Sequence, residues 1–221
     1  MPIASGCGAE RIGLPSSMDR EEHWQRVYTT KGEQDTSWFE QVPTVSLRML
    51  DAAGLTPESC VVDIGGGESR LVDVLTARGL DCLAVLDGSV AALARAQMRM
   101  GPAGQIPTWI AADVTGAWSL KPMDIWHDRA VFHFLTTRDD RERYVQHMRD
   151  TIKPGGAAII ATFAPDGPER CSGLPVARYS PEALAGELGE WLSLVESRPH
   201  LHITPRGTSQ SFQYSRFVRV W

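Results

Sequence analysis

Short apolar runs alternate along this chain with segments whose apolar residues recur every three or four positions. Val61-Val62-Asp63-Ile64 is a β-branched run that meets a glycine-rich turn, Gly65-Gly66-Gly67. A helical pattern then opens, with Leu71, Val74 and Leu75 at i, i+3 and i+4. Gly79 is placed to end that helix. Residues 82–86 predict a second buried strand that runs into Asp87, and Ser89 predicts the cap of an alanine-rich helix through Met100. Residues 109–112 predict a third strand ending at Asp113, and residues 124–126 a fourth that continues into His127-Asp128-Arg129. Thr137 with Asp140 three positions later has the capping-box pattern, and Val145, Met148 and Ile152 line one face of the helix it opens. Lys153-Pro154-Gly155-Gly156 stops that helix, and residues 157–163 form strand five. Ser180-Pro181-Glu182 starts another helix, with proline in its first turn. Residues 192–202 and 211–220 read as two last strands joined through Thr204-Pro205-Arg206-Gly207. Before strand one, residues 21–30 and 45–53 read as helices.

Alternation of strand and helix predicts a mostly parallel sheet covered on both faces. The turn after strand one is its chemical centre. Backbone N–H groups at a helix N-terminus attract a bound cofactor, and glycine lets the backbone approach it. A dinucleotide fingerprint needs G-x-G-x-x-G, but Arg70 stands where the third glycine would be. Asp63 lies two residues before Gly65, giving [D/E]-x-G-x-G. That pattern resembles motif I of the class I S-adenosylmethionine (SAM) methyltransferases, and the "KPGG" turn before strand five resembles the same family. The resemblance spans roughly residues 20–221. It implies a seven-stranded, mostly parallel Rossmann-like α/β sheet with helices on both faces and an antiparallel last strand. It also implies SAM as cofactor and S-adenosylhomocysteine as product. The cofactor-binding residues it implies are Asp63, Gly65, Gly66, Gly67, Ser69, Asp87, Gly88, Ser89, Asp113, Val114, His127 and Trp38. Among them, Asp87 at the tip of strand two is placed for the ribose hydroxyls, and Asp113 for the adenine amine.

A chain of 221 residues suits one compact domain at residues 20–221. Residues 20–55 would form an N-terminal helical cap, after a poorly ordered leader at 1–19 that is rich in glycine, serine and proline. The formal charge of −5, with no dense Lys/Arg run, gives no footprint for nucleic acid. No apolar run approaches a membrane span and the start lacks a signal-peptide pattern, so a cytoplasmic location is the expectation. Cys7, Cys60, Cys82 and Cys171 show no zinc spacing, and no metal is expected. Cys60 and Cys82 read as small buried hydrophobes. A monomer or homodimer is expected.

Ligands of open α/β sheets bind beyond the carboxyl ends of the strands, so candidate chemistry is sought after strands four and five and in the cap. His127, Asp128 and His133 are the candidate catalytic residues after strand four: histidine titrates near neutral pH, and a carboxylate beside it orients it. The alternatives are that His127 packs into the sheet, Asp128 caps the next turn and His133 sits on a helix face. Beyond strand five, Tyr179 is a fourth catalytic candidate, while Arg170 and Cys171 are candidates for substrate contact in a Pro/Gly-rich loop. In the cap, His23, Trp24, Tyr28, Trp38 and Phe39 form an aromatic set. Tyr28 and Trp38 are its candidates for the sulfonium or a flat substrate, against simple lid packing. Arg129 completes the substrate-binding candidates.

These observations favour methyl transfer by in-line displacement to an O, N or S nucleophile of a small molecule, needing a base only where the nucleophile arrives protonated. Asp128-Arg129-Ala130-Val131 also resembles, in part, the Asp-Lys-Gly-Thr stretch of a group of protein-lysine methyltransferases. A protein substrate is therefore the second reading, with an acidic open channel as its mark. A non-catalytic SAM-binding protein comes third. A nicotinamide oxidoreductase comes last, since Arg70 speaks against it.

Overall fold

A computed structural model describes residues 17–221. Residues 1–16, most of the expected leader, lie outside the described residues, and helix α1 already runs over Ser17–Thr30. The remaining helices are α2 (Thr44–Ala52), α3 (Leu71–Ala77), α4 (Val90–Met100), α5 (Arg138–Thr151) and α6 (Pro181–Leu188). The main strands are β1 (Val61–Ile64), β2 (Leu83–Asp87), β3 (Thr108–Ala111), β4 (Met123–Arg129) and β5 (Ile152–Phe163). A two-residue hairpin, β6 (Arg170–Cys171) and β7 (Leu174–Pro175), precedes α6, and β8 (Leu192–Ile203) and β9 (Ser209–Arg219) end the chain.

The seven-stranded sheet has the order β3-β2-β1-β4-β5-β9-β8. Strands β1 to β5 pair in parallel and β9 pairs antiparallel with both β5 and β8, the Rossmann-like arrangement the motifs implied. Period-two alternation divides β1 between two apolar layers. Val62 and Ile64 face a core shared with Tyr144 and Met148 of α5 and Leu184 and Leu188 of α6. Val61 faces a second core with Leu47 and Leu50 of α2, Leu71 and Leu75 of α3 and Leu93 of α4. Polar side chains cap three helices as their sequence suggested: Ser89 accepts from Ala92 N, Thr137 from Asp140 N and Ser180 from Ala183 N. From β1 the chain moves outward to β2 and β3, then returns to the other side of β1 as β4. That reversal opens a crevice at the carboxyl ends of β1 and β4.

Two expectations are corrected. Strand β5 begins at Ile152 rather than after the Lys-Pro-Gly-Gly turn. Its register against β4 shifts between Met123 and Ile125, where this extra stretch is taken up. The second correction is larger: Cys60 and Cys82 form a disulfide, with Cα atoms 4.6 Å apart. Val61 is the parallel partner of Leu83, so the residues just before them also stand side by side. The signal was legible in principle, since each cysteine directly precedes one of two adjacent parallel strands.

Cross-linking residues 22 apart restricts the unfolded chain. Reduction, or Cys60→Ser with Cys82→Ser, should lower unfolding stability by about 3 kcal/mol. Denaturant melts with and without reductant, alongside the double variant, measure this; coincident curves would show that the bond does not form in solution.

Candidate active site

Past the carboxyl ends of the strands lies a cleft of about 750 Å³, walled in part by Gly65, Asp87, Gly88, Asp113, Val114 and Trp38. The glycine turn forms its floor. Gly65 has φ +64°, and a Cβ there would lie 2.1 Å from Val131 Cγ2. Gly67 has φ +44°, and its Cβ would meet Tyr28 Oη at 2.7 Å and Asp87 Oδ2 at 2.9 Å. Both positions therefore require glycine sterically as well as conformationally. Ser69 ends the turn, its Oγ accepting from Leu71 N, and lines a smaller neighbouring cleft with His127 and Arg129.

Four buried aspartates sit at the carboxyl ends of β1 to β4, and each is satisfied differently. Asp63 Oδ1 lies 2.7 Å from His127 Nδ1, and His127 Nε2 lies 2.9 Å from Ser46 Oγ on α2. Asp63 and His127 are direct partners across β1 and β4. Asp63 Oδ2 is buried without a hydrogen-bond partner among the described residues. Asp113 accepts from Arg20 and from the backbone and hydroxyl of Thr115, and these donors hold its carboxyl below the usual range in spite of burial. Asp128 is fully buried and accepts from Val131 N, Phe132 N and the Tyr144 hydroxyl. Burial still raises its carboxyl to about 6. Asp87 accepts from Ser89 N alone among the described residues. Burial, with Asp63 and Glu68 nearby, pushes it up to about 7.

Helix α1 roofs this layer. Arg20 bridges Asp113 and Asp140 at 2.9 Å each, and Glu21 Oε1 accepts from Asp113 N. Gln25 takes the Ser89 hydroxyl and Ala91 N at the start of α4. Tyr28 is buried over Gly67, with the Arg95 guanidinium 6.0 Å from its ring centroid. Trp24 meets Trp38 and Phe134 edge-on at 5.8 and 5.0 Å, and Tyr28 meets Trp38 at 6.1 Å, so the outer cleft has aromatic walls.

The remaining predicted residues divide into those the fold brings to the cleft and those it places elsewhere. Tyr28, Trp38, Arg129 and Cys171 line it. Arg129 donates to the Trp38 carbonyl and the Tyr214 hydroxyl and pairs with Glu40 at 3.1 Å. Burial pushes the Cys171 thiol up to about 11, so it is protonated and uncharged at neutral pH. Gly66 and Ser89 support the floor from behind, Ser89 as the cap of α4. Asp128 caps the turn after β4, where Ala130 adopts φ 69°. His133 is fully buried between Phe134 and Phe163, accepts from Phe163 N, and is lowered to about 3, which makes it neutral. Tyr179 packs on Phe132 in the core, and burial raises it to about 12. Arg170 is exposed on the β6–β7 hairpin, donating to the Gly173 carbonyl. Sequence reasoning missed Arg20, Glu21, Phe134 and Leu135 as lining residues. The early polar residues carried no motif, and Phe134 follows the segment that drew attention.

Residues 61–156 match the family model of the methyltransferase domain. EEF1A lysine methyltransferase 2 of Danio rerio is 24% identical over 171 residues, 71% of this chain and 73% of that protein. Among solved structures, 1,6-didemethyltoxoflavin-N1-methyltransferase of Burkholderia thailandensis, with bound 1,6-didemethyltoxoflavin and S-adenosylhomocysteine, is 16% identical with a TM-score of 0.70. That match covers 100% of this chain and 94% of the other. A structure described under the conversion of a disulfide bond into a thioacetal group during echinomycin biosynthesis is 20% identical with a TM-score of 0.73, covering 91% of this chain and 93% of its own. The motif I turn, the carboxylates along the strand ends and the Rossmann-like fold agree with the methyltransferase domain matched at residues 61–156.

Proposed function

We propose that this enzyme methylates an O, N or S nucleophile of a compact, largely apolar small molecule by in-line displacement. The carrying observation is continuity: the wall of Trp24, Tyr28, Trp38 and Phe134 shares one cleft with Gly65, Asp87 and Asp113. SAM fits the inner end. The Asp87 carboxylate has a single protein donor among the described residues, Asp63 Oδ2 is a buried acceptor without one, and the glycine turn presents backbone with no side chain to block a ligand. When bound, SAM supplies an activated methyl group on a sulfonium. The protein's part is to hold the nucleophile in line and to exclude water beneath α1.

Asp128, His133 and Tyr179 do not line the cleft, and His127 lines its smaller neighbour. In this reading His127 is a positioning residue that orients Asp63, and proximity replaces a dedicated base. Protein-lysine methylation is the second reading, supported by the Danio rerio relative. A lysine wants an acidic, open channel. Here Asp113 is neutralised by Arg20, while Phe132 and Tyr179 are buried, which favours the small molecule. Residues 20–221 are read as one domain with 20–55 as its cap. No described helix is long and apolar enough to cross a membrane. The expected cytoplasmic location stands against the Cys60–Cys82 disulfide, a bond that reducing compartments seldom keep.

The direct test is incubation with methyl-labelled SAM and cell extract, followed by separation of small molecules from macromolecules. Label in the small-molecule fraction is expected; label confined to precipitable protein would replace this reading with the lysine one. Asp87→Ala should weaken S-adenosylhomocysteine binding by about 1–3 kcal/mol by calorimetry, the scale of hydrogen bonds to a charged acceptor. Ribose hydroxyls favour the ionised carboxylate. With Asp87 at about 7 in the empty protein, affinity should rise from pH 6 to pH 8. Asp87→Asn should flatten that dependence, and an equal slope in the variant would assign it to another group. Gly65→Val should leave no measurable binding, because its side chain overlaps Val131. Normal affinity in that variant would remove the turn from the site.

A further inference from the structure

Behind Arg129, on the side of the sheet end away from the glycine turn, three side chains converge that methyl transfer does not use. His200 and His202 are two apart on β8 and so share one face of it. Both approach Glu40, in the loop before α2. His202 Nδ1 lies 3.4 Å and His200 Nε2 3.8 Å from Glu40 Oε1, and one ligand atom from each residue falls within 4.8 Å of the others. In a tetrahedral zinc site, bonds of about 2.0–2.2 Å place ligand atoms roughly 3.4 Å apart, so these positions need only small adjustment.

The hydrogen bonds around the trio set its chemistry. His202 Nε2 lies 2.7 Å from the Ser37 carbonyl, which can only accept, so Nε2 carries the proton. Nδ1 of His202 then faces the Glu40 carboxylate oxygen at 3.4 Å, a gap that either a proton or a metal ion can bridge. A histidine whose far nitrogen donates to a backbone carbonyl is also the usual outer support of a metal ligand. Glu40 Oε2 is buried without a partner among the described residues, and Arg129 Nη2 sits 3.1 Å from Oε1. A ligating carboxylate is commonly held by such a donor, although the guanidinium charge lowers affinity for a divalent ion. His202 is 4% exposed and His200 28%, so the trio has a wall on one side and an entry path on the other.

We propose that Glu40, His200 and His202 bind one divalent transition metal of the zinc class. Two imidazoles and one carboxylate favour zinc over calcium or magnesium, which prefer oxygen ligands throughout. Three protein ligands leave a coordination position for water. The ion ties β8 to the loop that carries Ser37, Trp38 and Glu40. Because Trp38 is a wall of the cleft and Arg129 holds its carbonyl, loading the site stiffens that wall. Cysteine spacing gives no sign of this set, and Glu40 precedes His200 by 160 positions.

The test uses the full chain stripped with chelator and dialysed against zinc chloride, with metal counted by mass spectrometry. One zinc per chain and a higher melting temperature are expected. His200→Asn, at the more exposed ligand, should keep the melting temperature of the stripped wild type and lose more than about tenfold in zinc affinity. Glu40→Gln should lose zinc affinity to the same degree, and should melt below the stripped wild type because Arg129 loses its carboxylate partner. Absence of stoichiometric zinc, or equal retention by both variants, would overturn the proposal. Cobalt substitution gives a second readout. Visible bands without thiolate charge transfer are expected, whereas a charge-transfer band would place the metal on a cysteine and overturn the assignment.

Discussion

Burying negative charge is the constraint around which this structure is organised. Four aspartates end the first four parallel strands, and an unpaired carboxylate is costly away from water. Asp63 takes His127 from the neighbouring strand, Asp113 takes Arg20 from the roof, and Asp128 takes two backbone N–H groups with Tyr144. Asp87 receives one backbone N–H. Three of the four are thus committed to holding the edge of the sheet together. Asp87, with that single donor, is raised to about 7 and faces the cleft.

The roof follows from the same requirement. Arg20 is itself buried, which is tolerable because it meets two carboxylates and the Thr115 hydroxyl. Removing Arg20 would leave the buried Asp113 an interior charge without its cation. Arg20 therefore fixes the start of α1 over the Asp113 end of the cleft, and Gln25 and Tyr28 fix its later turns over α4 and the glycine turn. Arg129 plays the corresponding part at the other end. It links β4 to the Trp38 carbonyl, Glu40 and Tyr214, so the aromatic wall is anchored to the sheet rather than hanging from a loop.

The elements of the fold were largely legible, because a buried parallel strand must be apolar and a surface helix must carry a stripe. Val61, Leu83 and Ile159 announce strands, and Leu71, Val74 and Leu75 a helix, whatever surrounds them. The glycine turn was legible for a similar reason: Gly65 and Gly67 occupy left-handed backbone that few other residues accept. The candidates after strand four were harder to sort. His127, Asp128 and His133 are all polar residues at the right edge of the sheet, and their roles depend on which way each side chain leaves the backbone. One orients Asp63, one caps a turn and one is neutral in an aromatic pocket.

Sequence alone determined the order of strands and helices, the glycine turn and the row of carboxylates at the strand ends, because each is dictated by local periodicity or by the conformational range of single residues. Tertiary structure decided everything that needs two distant segments to meet. Arg20 reaches Asp113 across 93 positions, and Cys60 finds Cys82 only because β1 lies beside β2. Glu40 meets His200 and His202 only because the last hairpin folds back beside the cap. Side-chain contacts of that range are set by strand order and register, which no local pattern of hydrophobic and polar residues encodes.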